Sequence, residues 1–262
     1  MKLNNQTILL TGGTGYIGTE IANEILNAGA ELILISRNLK NLKIYKNKLS
    51  SLYQKKCFIA HCDLTKEQDI KKITKLIKLN YKNINGIVNC AYSMERAHGN
   101  IESISHNDFN RSISLNLFSP LKLITNLKKL LINGSKNSKN LSSIVNVSSM
   151  YGLVSPDSSI YKNKKNINSL HYGATKAGLI QMTKYLACNL DAKNIRVNSV
   201  SPGPFPSSKK DTNLINALKN KTPLGRVGNS IEVVKPIIFL LSNDSSYING
   251  VNLPIDGGWT AW

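Results

Sequence analysis

No stretch of this 262-residue chain holds the roughly 18 consecutive apolar residues that a membrane-spanning helix needs. Its four cysteines, Cys57, Cys62, Cys90 and Cys188, include no CxxC pair. They fit neither a disulfide framework nor a zinc site, so reduced, mostly buried thiols and no metal are expected. Acidic residues are scarce: 15 Asp and Glu stand against 34 Lys and Arg, for a formal charge of +19. Such an excess can mark a nucleic-acid or anionic-membrane surface. Here the basic residues are spread over many helix faces, and the few aromatics do not interleave with them as a stacking platform requires. The expectation is no nucleic-acid and no membrane partner, with a surface that still favours anionic small molecules. Met1 to Asn5 run straight into the strand-like Thr7–Leu10, leaving no room for a signal peptide, and a cytoplasmic location is expected.

What is present is an alternation. Short apolar runs occur at Thr7–Leu10, Leu32–Ile35, Phe58–Ala60, Ile87–Cys90, Ile144–Val147, Arg196–Val200 and Val251–Leu253. Helical patterns lie between them near 16–28, 38–53, 67–80, 106–132, 172–190 and 230–242. Alternating β and α with continuously apolar strands predicts an α/β fold, a doubly wound parallel sheet of about seven strands with helices on both faces. One domain over 1–262 is expected, with ligand at the carboxyl ends of the strands. Residues 153–170 break the rhythm. They are polar and irregular, carry Lys162, Lys164 and Lys165, and form a long loop of the kind that is usually functional.

Thr11-Gly12-Gly13-Thr14-Gly15-Tyr16-Ile17-Gly18 follows the first strand and opens the first helix. Glycines let the backbone turn and approach a pyrophosphate, and the helix start offers free N–H groups to it. Gly12, Thr14, Gly15, Tyr16, Ile17 and Gly18 are therefore candidate dinucleotide ligands. The second strand ends Ser36-Arg37, where an acidic residue would hold an NAD ribose; Ser36 and Arg37 suit the 2′-phosphate of NADP(H) instead, since a guanidinium can grip it with two hydrogen bonds. NADP(H) is preferred, with NAD(H) possible. Asp63, followed by Leu64, either accepts from the adenine amino group or caps the next helix. Asn89 and Ala91 end the fourth strand beside the adenosine ribose.

Tyr172 and Lys176 lie four apart and so share one helix face. A lysine ammonium beside a phenol favours the phenolate, which lets the tyrosine exchange a proton with a carbonyl or alcohol oxygen. Ser149 ends the fifth strand, where a hydroxyl can stabilise the developing charge on a substrate oxygen; Ser148 competes for the role. Asn116 sits inside a long helix. It is either a water-bridged relay to Lys176 or a buried packing residue.

In order and spacing these motifs, with Ser201-Pro202-Gly203 and Asp256-Gly257-Gly258, resemble the short-chain dehydrogenase/reductases over essentially the whole chain. The resemblance implies an Asn116–Ser149–Tyr172–Lys176 tetrad and a Tyr172 acid/base. It implies that Lys176 also holds the nicotinamide ribose and that Pro202 and Gly203 lie against the nicotinamide. A homodimer or homotetramer through the helices near 106–132 and 172–190 is implied too. Three departures stand out. Gly15 comes one place early, Tyr92 replaces the usual glycine after Asn89-Cys90-Ala91, and Ser149 and Tyr172 are 23 apart, about ten more than usual. The insertion and the Trp-rich ending are similar to a smaller group, the flagellin modification protein A dehydrogenases. That similarity implies a polar, sugar-like, often phosphorylated small-molecule substrate, which Lys162, Lys164 and Lys165 could meet. Rival readings are a 3-oxoacyl-thioester reductase, a dinucleotide-sensing regulatory module and a nucleic-acid binder.

Overall fold

Every strand but the last feeds two cores at once, because successive side chains of a strand point to opposite faces. The computed structural model describes residues 2–92, 101–163, 166–206 and 212–262. Its strands β1 (Thr7–Thr11), β2 (Glu31–Ser36), β3 (Cys57–His61), β4 (Gly86–Asn89), β5 (Ser142–Val147), β6 (Ile195–Pro202) and β7 (Asn252–Ile255) form one parallel sheet in the order β3-β2-β1-β4-β5-β6-β7. On one face Ile8, Leu10, Leu34, Val88 and Val145 pack under α1 (Tyr16–Asn27) and α9 (Ser230–Leu241). On the other, Leu9, Ile33, Ile87, Ile144 and Val197 pack under α4 (Glu67–Asn80), α6 (Ser119–Ser138) and α7 (Leu170–Asn189). Helix spacing follows: Ile70, Ile73 and Ile77 of α4 make one stripe. Each such buried aliphatic contributes about 1.5–3 kcal/mol. Among the described residues no helix is long and apolar enough to cross a membrane, and no cluster of His, Cys, Asp or Glu could hold a metal. Three of the cysteines are buried and Cys188 is exposed; all are free.

Four elements differ from expectation. The helix expected over 38–53 divides into α2 (Leu39–Lys48) and α3 (Ser51–Lys55), because Leu49 turns extended and the Ser50 hydroxyl caps a new start. The helix expected over 106–132 is α5 (His106–Ile113), a π turn (Ser114–Phe118) and α6. Pro120 explains the widening: it has no N–H for the Asn116 carbonyl, and its ring crowds that oxygen. A further helix, α8 (Thr212–Lys221), is too polar to announce itself; Leu218 is its one buried residue. The last strand runs one residue later than expected and carries Pro254 on the open edge, where a missing N–H costs nothing.

Between β1 and β4 the chain changes direction across the sheet, and the described residues that follow β1, β4, β5 and β6 leave from the same carboxyl edge. That crevice is where open parallel sheets take ligands.

Candidate active site

The glycine loop is held by contacts that tolerate no side chain. Gly12 has φ +74°, and a Cβ there would lie 2.7 Å from the Ala91 Cα; one on Gly18 would lie 2.2 Å from the Gly12 carbonyl. Gly15 differs. A Cβ there would meet only that carbonyl, at 3.4 Å, so the fold leaves open space above it. Gly15 is also the cap residue of α1, and no side chain caps the helix. The first-turn amides of Tyr16, Ile17 and Gly18 are left for an anion, which is the chemistry a pyrophosphate needs. The Ile17 side chain leans on the core, and Tyr16 is exposed. Thr14 bonds Ser36 (Oγ1···Oγ 2.9 Å), tying the loop to the end of β2. Past Ser36 a pocket is lined by Arg37, Asn38, Leu39 and His61. These residues fit a dinucleotide with its 2′ position at β2.

On the adjoining strands the expectations meet mixed outcomes. Asp63 does not cap α4, whose cap is Lys66; its carboxylate accepts from the Thr65 N–H and hydroxyl at 3.1 and 2.7 Å. Burial pushes that carboxyl up, but the Thr65 bonds with Lys66 and Arg111 outweigh it and hold it below its ordinary value. Leu64 turns its side chain into the core, so only its backbone is free to face a ligand. Ala91 is fixed by its N–H to the Thr11 Oγ1 (3.1 Å), a contact with no motif to signal it. Asn89 donates to the Asn146 Oδ1 at 2.8 Å, and its own Oδ1 is buried without a partner among the described residues. At the end of β6, Pro202 is fully within the sheet, and Gly203 packs so close to Asp256 that a Cβ would sit 2.5 Å from the Asp256 Cα.

Across the crevice the chemistry is carried by side chains. The Ser149 hydroxyl lies beside the Tyr172 phenol, close enough to act on its acidity. Ser148 is spent elsewhere, donating to the Lys176 carbonyl at 2.8 Å, so Ser149 is the hydroxyl beside the phenol. Lys176 is 3% exposed; its Nζ donates to the Val147 carbonyl at 2.8 Å and stands 5.8 Å from the Tyr172 ring centre. Asn116 is placed on the π turn and buried. Its Nδ2 donates to the Thr175 Oγ1 at 3.0 Å, and its Oδ1 is buried without a partner among the described residues.

Burial adds to whatever the two groups do to each other. Burial pushes Tyr172 up to about 12, only partly opposed by Ser149. Burial pushes Lys176 down to about 8, opposed by nearby Cys90. Desolvation acts on both groups before either acts on the other. The pair alone therefore holds a protonated phenol at neutral pH, ready to give a proton.

The insertion is ordered by contacts that spacing does not reveal. Tyr151 and Tyr161 join hydroxyls at 2.8 Å, with Asn168 beside both. Asp157 pairs with Lys221 of α8, and the Lys221 Nζ stacks 5.7 Å from the Trp259 ring. Met150, Tyr151, Leu218 and Trp259 make a small core, with Val154, Ile160, Leu214 and Tyr172 packed on it. Lys162 is exposed; Lys164 and Lys165 lie outside the described residues.

Comparison with known proteins agrees with this geometry. Residues 14–260 match the short-chain dehydrogenase family model described as enoyl-(acyl carrier protein) reductase. The 3-oxoacyl-[acyl-carrier-protein] reductase of Rickettsia typhi is 31% identical over 98% of both chains. The post-translational flagellin modification protein A of Campylobacter coli is 26% identical over 98% of this chain and 99% of its own. The RhlG/NADP active-site complex of Pseudomonas aeruginosa superposes with a TM-score of 0.87 at 27% identity, covering 99% of this chain and 98% of that one. The chain belongs to the short-chain dehydrogenase/reductase family of oxidoreductases.

Proposed function

We propose that this protein interconverts a carbonyl and a secondary alcohol on a polar, sugar-like small molecule using NADP(H). The observation that carries the reaction class is the buried Lys176 ammonium 5.8 Å from the Tyr172 ring, with Ser149 beside the phenol, at the carboxyl edge next to the glycine loop. When bound, the nicotinamide supplies or accepts the hydride. Gly12 to Gly18 would hold its pyrophosphate, Arg37 the 2′-phosphate and Lys176 the nicotinamide ribose, and Pro202 and Gly203 would line the nicotinamide end. Ser149 orients the substrate oxygen. Tyr172 donates its proton to that oxygen in reduction and takes it back in oxidation. Lys176 stabilises the phenolate left behind, and Asn116 reaches this helix through Thr175. The polar substrate is supported by the Tyr151, Tyr161 and Asn168 cluster and by the flagellin-modification relative.

A second substrate reading, a 3-oxoacyl thioester, is favoured by the Rickettsia relative and by the apolar residues Val154, Ile160 and Leu214 packed near Tyr172. A homodimer or homotetramer is supported by Ile113, Phe118 and Tyr185, exposed on the α5–α7 helices. One assay tests these readings: NADPH and NADH oxidation against a panel of keto-sugars and acetoacetyl thioesters. Turnover of a keto-sugar with NADPH, lost by about 10²–10⁴-fold in Tyr172→Phe, is expected. Turnover of the thioester alone shifts the substrate to the second reading, and equal use of NADH removes the role given to Arg37.

A further inference from the structure

We infer that His61 is a specificity-determining residue for the dinucleotide, a second donor to the 2′-phosphate beside Arg37. This rests on the NADP(H) reading above and names a residue it does not include. β2 and β3 pair in parallel with Ser36 opposite His61, and residues in register on neighbouring strands point to the same face. The Ser36 hydroxyl is bonded to Thr14 of the glycine loop, which marks that face as the one the loop serves. His61 is one strand further out, about 4.8 Å away in the pairing direction. It lines the same pocket as Arg37, Asn38 and Leu39.

Of the other groups around that pocket, the Asn38 side-chain oxygen and backbone N–H are already engaged. The Asn38 side chain caps α2 by accepting from Asn41, and its N–H donates to Ser36. Leu39 offers no side-chain donor. His61 and Arg37 are both exposed, and neither has a side-chain partner among the described residues. A phosphate presents three acceptor oxygens, more than one guanidinium fork occupies. An imidazole keeps at least one ring N–H to donate to the remainder in either protonation state.

The test is calorimetric binding of NADPH and NADH to the intact protein, two ligands that differ only in the 2′-phosphate. The parent should prefer NADPH. In His61→Ala, NADPH affinity should fall about five- to tenfold with NADH affinity unchanged, the loss of one charge-assisted hydrogen bond. His61→Gln, which keeps a donor, should recover part of it, and Arg37→Ala should lose more. Equal losses for both ligands would mean that His61 touches the adenine instead, and would overturn the proposal. An unchanged NADPH preference in His61→Ala overturns it while the cofactor reading stands. A parent that shows no preference, or binds neither ligand, overturns the cofactor reading and this one together.

Discussion

Around β1 and β2 the crevice is made of backbone: two glycines without room for a Cβ, uncapped amides at the start of α1, and a loop tied down by Thr14 and Ser36. Around β5 and α7 it is made of side chains, and these are buried titratable groups: a phenol raised to about 12 and an ammonium lowered to about 8. Backbone sites hold a ligand common to many reactions and tolerate little change. Side-chain sites hold charge in the wrong solvent and so sacrifice stability for chemistry. Opposite responses to substitution are therefore expected in the two halves.

In the backbone half, Gly18→Ala should do the greater harm. Its Cβ would overlap the Gly12 carbonyl, and relief requires moving the loop. A cost of about 1–3 kcal/mol is expected, seen as a lower Tm, with dinucleotide affinity falling more than tenfold because the loop is the binding surface. Gly15→Ala sharpens the contrast. Its Cβ finds ordinary contact within the protein, so Tm should hold while NADPH affinity falls. A Gly15→Ala protein that binds NADPH as the parent does would show that the space above Gly15 is not ligand space.

The same contrast separates what the sequence makes legible from what it hides. The glycine loop and the Tyr172–Lys176 pair are local: strand, turn and helix start in eight residues, or one helical turn between two side chains. Strand positions are legible because strands buried on both faces are rich in apolar residues without the helical period. The direction of the Tyr172 and Lys176 shifts is not, because it depends on desolvation by segments far apart in the chain. Nor is the π turn at Asn116, whose cause, Pro120, matters only once the helix is known to run through it. His61 carries no motif; only the register with Ser36 brings it to the pocket. The Ser50 cap, by contrast, is local and readable, but the longer helical pattern around it masks the break.

In the side-chain half, Lys176→Met should abolish turnover and yet stabilise the cofactor-free protein at pH 7. Lys176 has moved from 10.5 to about 8. Its folded value lies below its unfolded one, so at neutral pH the native state bears a cost of roughly 3 kcal/mol for charging it. Methionine removes that cost and forfeits the bond to the Val147 carbonyl, about 1 kcal/mol. Between about pH 8 and 10.5 the unfolded chain binds more protons than the native one, so the parent gains stability as pH rises there. The variant's Tm advantage, a few degrees at pH 7, should shrink towards pH 10. A variant less stable than the parent at pH 7 would show that the lysine is not a liability, and the contrast between the halves would fail on its chemical side.

The smallest effect belongs to the insertion, which is part of neither half. Asp157 and Lys221 are partly exposed, so their pairing adds little to stability despite holding the carboxyl well below its usual range. Its consequence is geometric. The pair fixes the insertion to α8, and Lys221 carries that link onto Trp259, whose cluster includes Tyr172. Asp157→Asn should therefore lower Tm by no more than about a degree. It should leave NADPH affinity unchanged, since no residue of the cradle touches the pair. Substrate KM should rise several-fold with kcat nearly preserved, because the wall beside the phenol loosens while the phenol keeps Ser149. A matching fall in kcat would mean that the clasp positions Tyr172 itself, making the insertion an extension of the side-chain half rather than a separate wall of the substrate pocket.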